Sequence, residues 1–159
     1  MGATMQEEDG MATIVSVNIS DKKGEIKTPV PSCKLVAGYG LEGDAHAGDW
    51  HRQVSLLAQE SVDIMTAMGA KGLCPGIFAE NLTTRGIELH TLPVGTKLTA
   101  GPCLLEVTQI GKECHAHCAI FKQVGSCVMP TRGIFARVLV GGIVTGDDEI
   151  AVRAKQDGG

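Results

Sequence analysis

Short stretches that are apolar throughout, or apolar at every second position, are separated along the chain by turns rich in glycine and proline. Such stretches with β-branched residues are typical of strands, because successive side chains of a strand point to opposite faces. The pattern predicts strands at residues 12–19, 33–36, 52–57, 87–89, 97–100, 104–110, 134–140 and 143–152, with a hairpin turn at residues 141–142 and a second turn at residues 146–148 that interrupts the last stretch. Strands at such close intervals favour a mostly β, antiparallel and strongly bent sheet or barrel over repeated strand–helix–strand units.

Helical periodicity is confined to one or two short stretches. Residues 59–68 carry Val62, Met65 and Met68 at spacings of three, and Gly69 follows as a helix stop. A second short helix is predicted over residues 118–124. Residues 1–11 and 153–159 lack apolar periodicity, so we expect a disordered leader and a tail around one domain at residues 12–152.

Composition narrows the class of protein. A chain of 159 residues fits one domain, and with only 3% aromatic residues its core must be aliphatic. The net charge is −4 and no run of Lys and Arg occurs, so a nucleic-acid partner is not expected. The start of the chain is no secretory signal, and no apolar run approaches the ~20 residues of a membrane-spanning helix. We therefore expect a cytoplasmic protein whose cysteines are reduced.

The most chemically dense stretch is residues 111–118, Gly-Lys-Glu-Cys-His-Ala-His-Cys. Cys114, His115, His117 and Cys118 place two thiols and two imidazoles in five consecutive residues. Thiolate and imidazole are ligands that transition metals prefer, and a thiolate is also the attacking group in sulfur chemistry. The function is therefore predicted to lie in this stretch.

Three kinds of site are compatible with this stretch. Cys114 alone supplies one thiolate, as a metal ligand or as the carrier of a persulfide, and Lys112 and the imidazoles favour its anionic form. A structural zinc site on Cys114, His117, Cys118 and Cys127 is an alternative, although such sites usually take ligand pairs from separate elements. A cofactor-free thiol enzyme with Cys118 or Cys127 as resolving thiol is the third. The candidate metal ligands are Cys114, His115, His117, Cys118 and Cys127.

The remaining cysteines, Cys33, Cys74 and Cys103, stand alone among apolar or turn residues. An isolated cysteine often behaves as a small buried hydrophobic residue. We expect these three to be packing residues.

Other candidate binding residues lie outside the cysteine stretch. The glycine-rich loop at residues 38–51 contains Asp44 and His46, and a loop of this length is usually functional, although its acids also cap turns. Glu80 and Asn81 follow apolar Phe78 and would present a carboxylate and an amide into a cleft, or begin a helix. Guanidinium groups bind phosphate through paired hydrogen bonds, so the candidates for an anionic cofactor are Arg52, Arg132 and Arg137, unless they are ordinary solvated or ion-paired side chains.

Six short motifs in order resemble one family. They are residues 40–44 with His46, 52–56, 76–82, 92–95, 111–114 and 132–139, the last followed by Gly-Asp at 146–147. Together they resemble the MOSC domain, named for the C-terminal domain of molybdenum cofactor sulfurases, and its small stand-alone bacterial form most of all. The resemblance covers about residues 12–152.

The resemblance implies a single-domain, barrel-like antiparallel fold and a role for Cys114. In relatives this cysteine carries sulfur or ligates molybdenum, or its tungsten analogue, held by the pterin dithiolene. The candidate cofactor-binding residues are Asp44, His46, Arg52, Glu80, Asn81, Lys112, Arg132 and Arg137. Full sulfurases have a pyridoxal-phosphate desulfurase domain, for which this chain has no room. The implied partners are cofactor biosynthesis proteins, a separate cysteine desulfurase or a recipient molybdoenzyme, and catalysis by the chain alone stays open.

Overall fold

A computed structural model describes residues 12–22, 26–111 and 132–153. The strands are β1 (Ala12–Ile19), β2 (Thr28–Val30), β3 (Ser32–Val36), β4 (Gly40–Leu41), β5 (Val54–Ala58), β6 (Leu82–Arg85), β7 (Lys97–Ala100), β8 (Cys103–Ile110), β9 (Ile134–Val140), β10 (Gly142–Thr145) and β11 (Glu149–Val152). Helix α1 (Gln59–Ala67) follows β5, and a 3₁₀ turn spans Leu89–Thr91.

Seven of the strands close into a barrel. The sheet runs β11-β7-β8-β9-β5-β6-β1, and β11 also pairs with β1, which closes the ring, while β2 extends the sheet beyond β1. Neighbours are antiparallel except β5 and β6, which are parallel and are connected through α1. Strands β10, β3 and β4 form a second, smaller sheet. The predicted mostly β, barrel-like fold is confirmed.

The core is aliphatic, as the low aromatic content predicts, and the barrel wall divides it in two. In β9, Ile134, Ala136 and Val138 belong to the cluster inside the barrel. Phe135 points the other way, into a second cluster with Val62 and Met65 of α1. This alternation follows from the pleat of the strand. All five residues of β5 are buried, because the barrel interior covers one face of the strand and α1 packs near the other.

Most predicted elements are observed. The bounds predicted for β1, β7 and β9 are confirmed, and α1 ends one residue before the predicted helix. The strand predicted at residues 87–89 is wrong, because the strand lies earlier, in β6, and Gly86 then turns the chain with a φ of 93°. The threonines of β6 are buried and polar, so its sequence lacks the apolar alternation of a strand.

The hairpin predicted at residues 141–142 is also wrong. Strand β10 leaves the barrel and pairs with β3, so that Ile143 lies opposite Lys34. A Cβ atom added to Gly141 would clash with the carbonyl oxygen of Leu35. The glycine therefore permits close backbone approach between the two sheets rather than a tight turn between paired strands. The leader at 1–11, the helix at 118–124 and residues 154–159 of the tail lie outside the described residues.

Candidate functional site

The two ends of the cysteine-containing segment are joined by a backbone hydrogen bond. Strand β8 leads into Gly111, whose N–H donates to the carbonyl oxygen of Gly133 at 2.7 Å, immediately before β9. We call this contact the neck. The predicted residues Lys112, Cys114, His115, His117, Cys118 and Cys127 lie between its two sides and outside the described residues. Their roles stay predictions.

Gln109 connects the neck to the loop before β5. Its Nε2 donates to the carbonyl oxygen of Gly111 at 2.8 Å. Its Oε1 accepts a hydrogen bond from Arg52 Nε at 3.2 Å and lies 2.8 Å from Nε2 of His51. The Thr108 hydroxyl also donates to the carbonyl oxygen of His51. These contacts place Arg52, one of the predicted cofactor-binding residues, beside the neck.

The guanidinium group of Arg52 has a defined orientation. Its central carbon lies 5.0 Å from the centroid of the Phe135 ring, and Phe135 is the register partner of Gln109. The ring face and the Gln109 oxygen hold the guanidinium from two sides. Among the described residues, Arg52 uses only Nε for a hydrogen bond. An arginine has five N–H donors, and those other than Nε–H make no hydrogen bond to the described residues and have the geometry for paired recognition of an anion.

Arg132 lies on the other side of the neck, next to Gly133 in the chain. Its Nη1 lies 3.4 Å from Nε2 of His90, which belongs to the 3₁₀ turn. A guanidinium can only donate, so His90 accepts through Nε2. The buried neighbour Leu89 anchors this turn in the barrel core. Two arginines therefore flank the place where the cysteine-containing segment leaves and returns.

Asp44 lies in a buried ionic cluster. Its Oδ1 accepts hydrogen bonds from Lys27 Nζ at 2.8 Å and from the Ser20 N–H at 3.0 Å, and its Oδ2 accepts from the His46 N–H at 3.0 Å. The side chains of Lys27 and Asp44 are 0% exposed. Burial by itself raises the pKa of Asp44, but the hydrogen bonds from Lys27 and Ser20 outweigh it and hold the pKa below its usual value.

The loop after Asp44 leads from this cluster to the neck. Trp50 Nε1 donates to the carbonyl oxygen of His46 at 2.8 Å, and the Trp50 and His51 rings meet edge to face with centroids 5.9 Å apart. His51 and Arg52 then contact Gln109. The predicted loop residues Asp44 and His46 therefore share one hydrogen-bonded segment with Arg52.

Glu80 is enclosed rather than presented to a cleft. Its carboxylate accepts hydrogen bonds from the N–H groups of Gly76 and Phe78 at 2.9 and 3.1 Å and from the Thr83 hydroxyl at 2.7 Å. The residue is 0% exposed. Burial raises its pKa, and the hydrogen bonds to the carboxylate oppose this only in part.

Asn81 connects two strands of the barrel. Its Oδ1 accepts from the Ser55 N–H at 2.9 Å, and its Nδ2 donates to the carbonyl oxygen of Asn18 at 3.1 Å. The Asn18 amide in turn donates to the Glu80 carbonyl oxygen and the Thr83 hydroxyl, both at 3.1 Å. Glu80 and Asn81 thus belong to one buried network that holds β1, β5 and β6 together.

Arg137 lies on the outer surface of the barrel. It faces its register partner Glu106, with Nη2 2.7 Å from Oε1, and its side chain is 52% exposed. Arg137 therefore has the ion-paired arrangement that the sequence analysis gave as the alternative to binding an anionic cofactor.

The isolated cysteines divide into two kinds. Cys33 and Cys103 are buried, as expected for packing residues, and burial raises the pKa of both thiols, that of Cys103 to about 11. Cys74 is exposed, so the packing role predicted for it is wrong. It follows α1 in a turn that leaves the side chain at the surface.

Sequence reasoning missed Lys27, Gln109 and Asn18. Gln109 occupies an ordinary polar position of a predicted strand, and Lys27 resembles a surface lysine, so local pattern holds no signal for either. No group of three His, Cys, Asp or Glu side chains within residues 12–22, 26–111 and 132–153 could hold a metal ion. In the same part of the chain, no helix is long and apolar enough to cross a membrane.

Comparison with known proteins gives a consistent result. The model of the family described as "MOSC domain" matches residues 43–151. The YuaD protein from Bacillus subtilis superposes with a TM-score of 0.75 and 21% identity, covering 92% of this chain and 97% of that chain. YiiM from Geobacillus stearothermophilus gives a TM-score of 0.67 and 21% identity, covering 90% of this chain and 75% of that chain. YiiM from Escherichia coli gives a TM-score of 0.63 and 20% identity, covering 92% of this chain and 71% of that chain. At these identities the structures show a shared fold. No relative of curated function matches the sequence significantly.

Proposed function

Because the chain belongs to the MOSC domain family, we propose that it binds the molybdenum cofactor, or its tungsten analogue, at the neck and uses Cys114 as metal ligand or sulfur carrier. The family is associated with this cofactor and with sulfur chemistry. The chain itself supplies one thiolate and a set of anion-binding groups. Sulfur then comes from a separate desulfurase and passes to a recipient molybdoenzyme.

The observation that carries this proposal is the position of Arg52. Its Nε is bound to Gln109, which in turn binds Gly111, three residues before Cys114 in the sequence. Phe135 supports the guanidinium face at 5.0 Å. An arginine held in this way pays little entropy when it binds an anion, because its rotamer is already fixed. The anionic phosphate of a pterin cofactor matches such a group.

The residues around the neck have different roles in this proposal. Arg52 and Arg132 would hold the phosphate oxygens, and Lys112 would favour the thiolate form of Cys114. When bound, the cofactor supplies a metal–dithiolene centre to which a thiolate or transferable sulfur can attach. His115, His117, Cys118 and Cys127 stay candidate ligands in the same segment.

The other predicted residues have supporting roles in this proposal. Asp44 and His46 hold the loop that ends at Arg52, through the Trp50 contact described above. Asn81 positions β5, which follows the same loop, and Glu80 holds the turn that leads into β6. Arg137 is engaged by Glu106 at 2.7 Å and is the natural control for Arg52.

The test is the metal and pterin content of the full chain. Protein purified from molybdate-replete cells is analysed for molybdenum, tungsten, zinc and released pterin per chain. Loss of a charge-assisted hydrogen bond costs about 1.5–3 kcal/mol, so Arg52→Ala should reduce cofactor affinity by roughly 10-fold to 100-fold. Arg137→Ala should retain the native content. Equal content in the two variants, or a native protein that contains zinc and no pterin, would contradict the proposal.

A second measurement separates the two roles of Cys114. If it is a metal ligand, Cys114→Ser should lower the metal content. If it carries sulfur, mass spectrometry after incubation with a cysteine desulfurase and cysteine should find a persulfide on Cys114. A variant that keeps its cofactor, together with a native protein that takes up no sulfur, would exclude both roles.

A further inference from the structure

The Lys27 ammonium group has three acceptors in the buried cluster. Nζ lies 2.8 Å from Asp44 Oδ1, 3.2 Å from Ser20 Oγ and 2.9 Å from His46 Nδ1. An ammonium carries three N–H donors and no acceptor. Its three protons therefore match these three neighbours one to one. The side chain is 0% exposed, so water does not replace any of these contacts.

This arrangement determines where the proton of His46 lies. A contact of 2.9 Å between an ammonium and Nδ1 is a hydrogen bond only if Nδ1 offers a lone pair. A proton on Nδ1 would instead face the Lys27 protons. The Asp44 carboxylate does not compete, because Oδ2 is 3.9 Å from Nδ1 and already accepts the His46 backbone N–H at 3.0 Å. A neutral ring then carries its proton on Nε2.

We propose that Lys27 is a positioning residue that fixes His46 as the Nε2–H tautomer, so that His46 serves the site as a neutral hydrogen-bond donor to an anionic oxygen. The part of this inference that concerns the ligand rests on the proposed function. The His46 side chain is 20% exposed, and its carbonyl oxygen accepts from Trp50 in the loop that ends at Arg52. In this state the ring is a donor through Nε2, and neither a metal ligand through Nδ1 nor a general base.

Nitrogen-15 NMR of the full chain, labelled at histidine, tests the tautomer without any ligand. The chain has five histidines, and the His46 signals are assigned by their loss in His46→Gln. Two-bond proton–nitrogen correlations should show an unprotonated Nδ1 and a protonated Nε2 at neutral pH. A protonated Nδ1 in the native protein would overturn the inference.

Replacing Lys27 by Met keeps the length of the side chain and removes the donor. Asp44 then remains buried without its cation, and its negative charge favours a proton on Nδ1 of His46. The Nδ1 signal should therefore change from unprotonated to protonated. An unchanged tautomer in folded Lys27→Met would mean that Lys27 does not fix it. If this variant does not fold, the native spectrum still decides which ring nitrogen carries the proton, and a protonated Nδ1 there would overturn the inference.

Two substitutions of His46 test the donor role. The Gln amide nitrogen can replace Nε2–H, whereas Asn reaches only to the Nδ1 position, where its oxygen can still accept from Lys27. Cofactor affinity should be about 10-fold lower for His46→Asn than for His46→Gln, because only Gln restores a donor at the Nε2 position. Equal retention by both variants overturns the donor role and leaves the proposed function intact. A native chain without cofactor but with the Nε2–H tautomer contradicts the proposed function and leaves the tautomer assignment intact.

Discussion

The two buried carboxylates of this domain, Asp44 and Glu80, are stabilised in different ways. Asp44 accepts a hydrogen bond from a buried ammonium, and the pKa of its carboxyl lies below the usual value. Glu80 receives two backbone N–H groups and one hydroxyl but no cation among the described residues, and burial raises its pKa. Both residues lie in short motifs that begin with a glycine, Gly40 and Gly76, so the sequence does not distinguish them.

Asp44 therefore stabilises its surroundings as a charged group, and Glu80 can do so as a neutral one. Asp44 remains ionised and requires Lys27, and the pair orients His46 in the loop that leads to the neck. Glu80 connects backbone segments and can do so with or without its proton. The negative charge of Asp44, near the proposed anion site, is therefore neutralised by Lys27. The network at Glu80 holds backbone segments in place and involves no cation among the described residues.

The largest effect is expected from Lys27→Met. Removing one partner of a buried ion pair leaves an uncompensated charge, which costs about 3–5 kcal/mol in the free energy of unfolding. Urea denaturation measures this. In the double variant Lys27→Met with Asp44→Asn, most of the loss should be recovered because no charge remains. A double variant as unstable as the single one would show that packing, and not charge, explains the loss.

Glu80→Gln should cost less. One carboxylate oxygen becomes an NH₂ group that faces an N–H or hydroxyl donor, and a buried unsatisfied contact of this kind costs about 1–3 kcal/mol. The same denaturation experiment measures it. The control is Glu88→Gln at an exposed position, which should stay within about 0.5 kcal/mol of the native protein. A loss as large as that of Lys27→Met would remove the distinction between the two carboxylates.

The dependence of stability on pH should have opposite sign for the two groups. The stability from ionised Asp44 is complete above its ordinary pKa of 3.8 and is lost as pH falls through the lower folded pKa, so Asp44→Asn should reduce acid sensitivity. The stability from protonated Glu80 is complete below its ordinary pKa of 4.5 and is lost as pH rises through the higher folded pKa. Glu80→Gln should therefore make the acid loss steeper. Unfolding series at several pH values give both slopes, and equal slopes would contradict the assignment.

The smallest effect is expected from Arg137→Ala. Its distance to Glu106 is 2.7 Å, nearly that of the Lys27–Asp44 pair at 2.8 Å, but its side chain is 52% exposed. An exposed ion pair contributes about 0–1 kcal/mol, and salt should weaken it further. Denaturation at low and high salt tests this. A salt-independent loss above that range would mean that exposure does not decide the strength of these pairs.

Much of the fold could be predicted because its strands obey local rules. The bounds of β1 and β9 follow from apolar alternation, and α1 follows from its threefold spacing. Strand β6 escaped prediction because its threonines are buried in the polar network, where their partners come from distant residues. The hydrogen bond between Asn18 and Thr83 joins positions 65 apart, which no local pattern reveals.

The candidate site was predictable in part for the same reason. Motif resemblance pointed to Arg52, Asp44 and His46, and the structure connects these residues through one loop. Lys27 was missed because a lysine is normally exposed, and its burial depends on Asp44, 17 positions away. The cysteine-containing segment stays a prediction.

The burial of Cys33 and Cys103 has a practical consequence for studying the sulfur chemistry of this chain. With a pKa of about 11, only about one Cys103 in a thousand is a thiolate at pH 8. An alkylating reagent added to the native protein should therefore leave this residue unmodified and react slowly with Cys33, whose pKa is also raised. In a time-resolved alkylation experiment the exposed Cys74 then serves as an internal standard. The alkylation rates of the remaining thiols, divided by that of Cys74, rank their nucleophilicity.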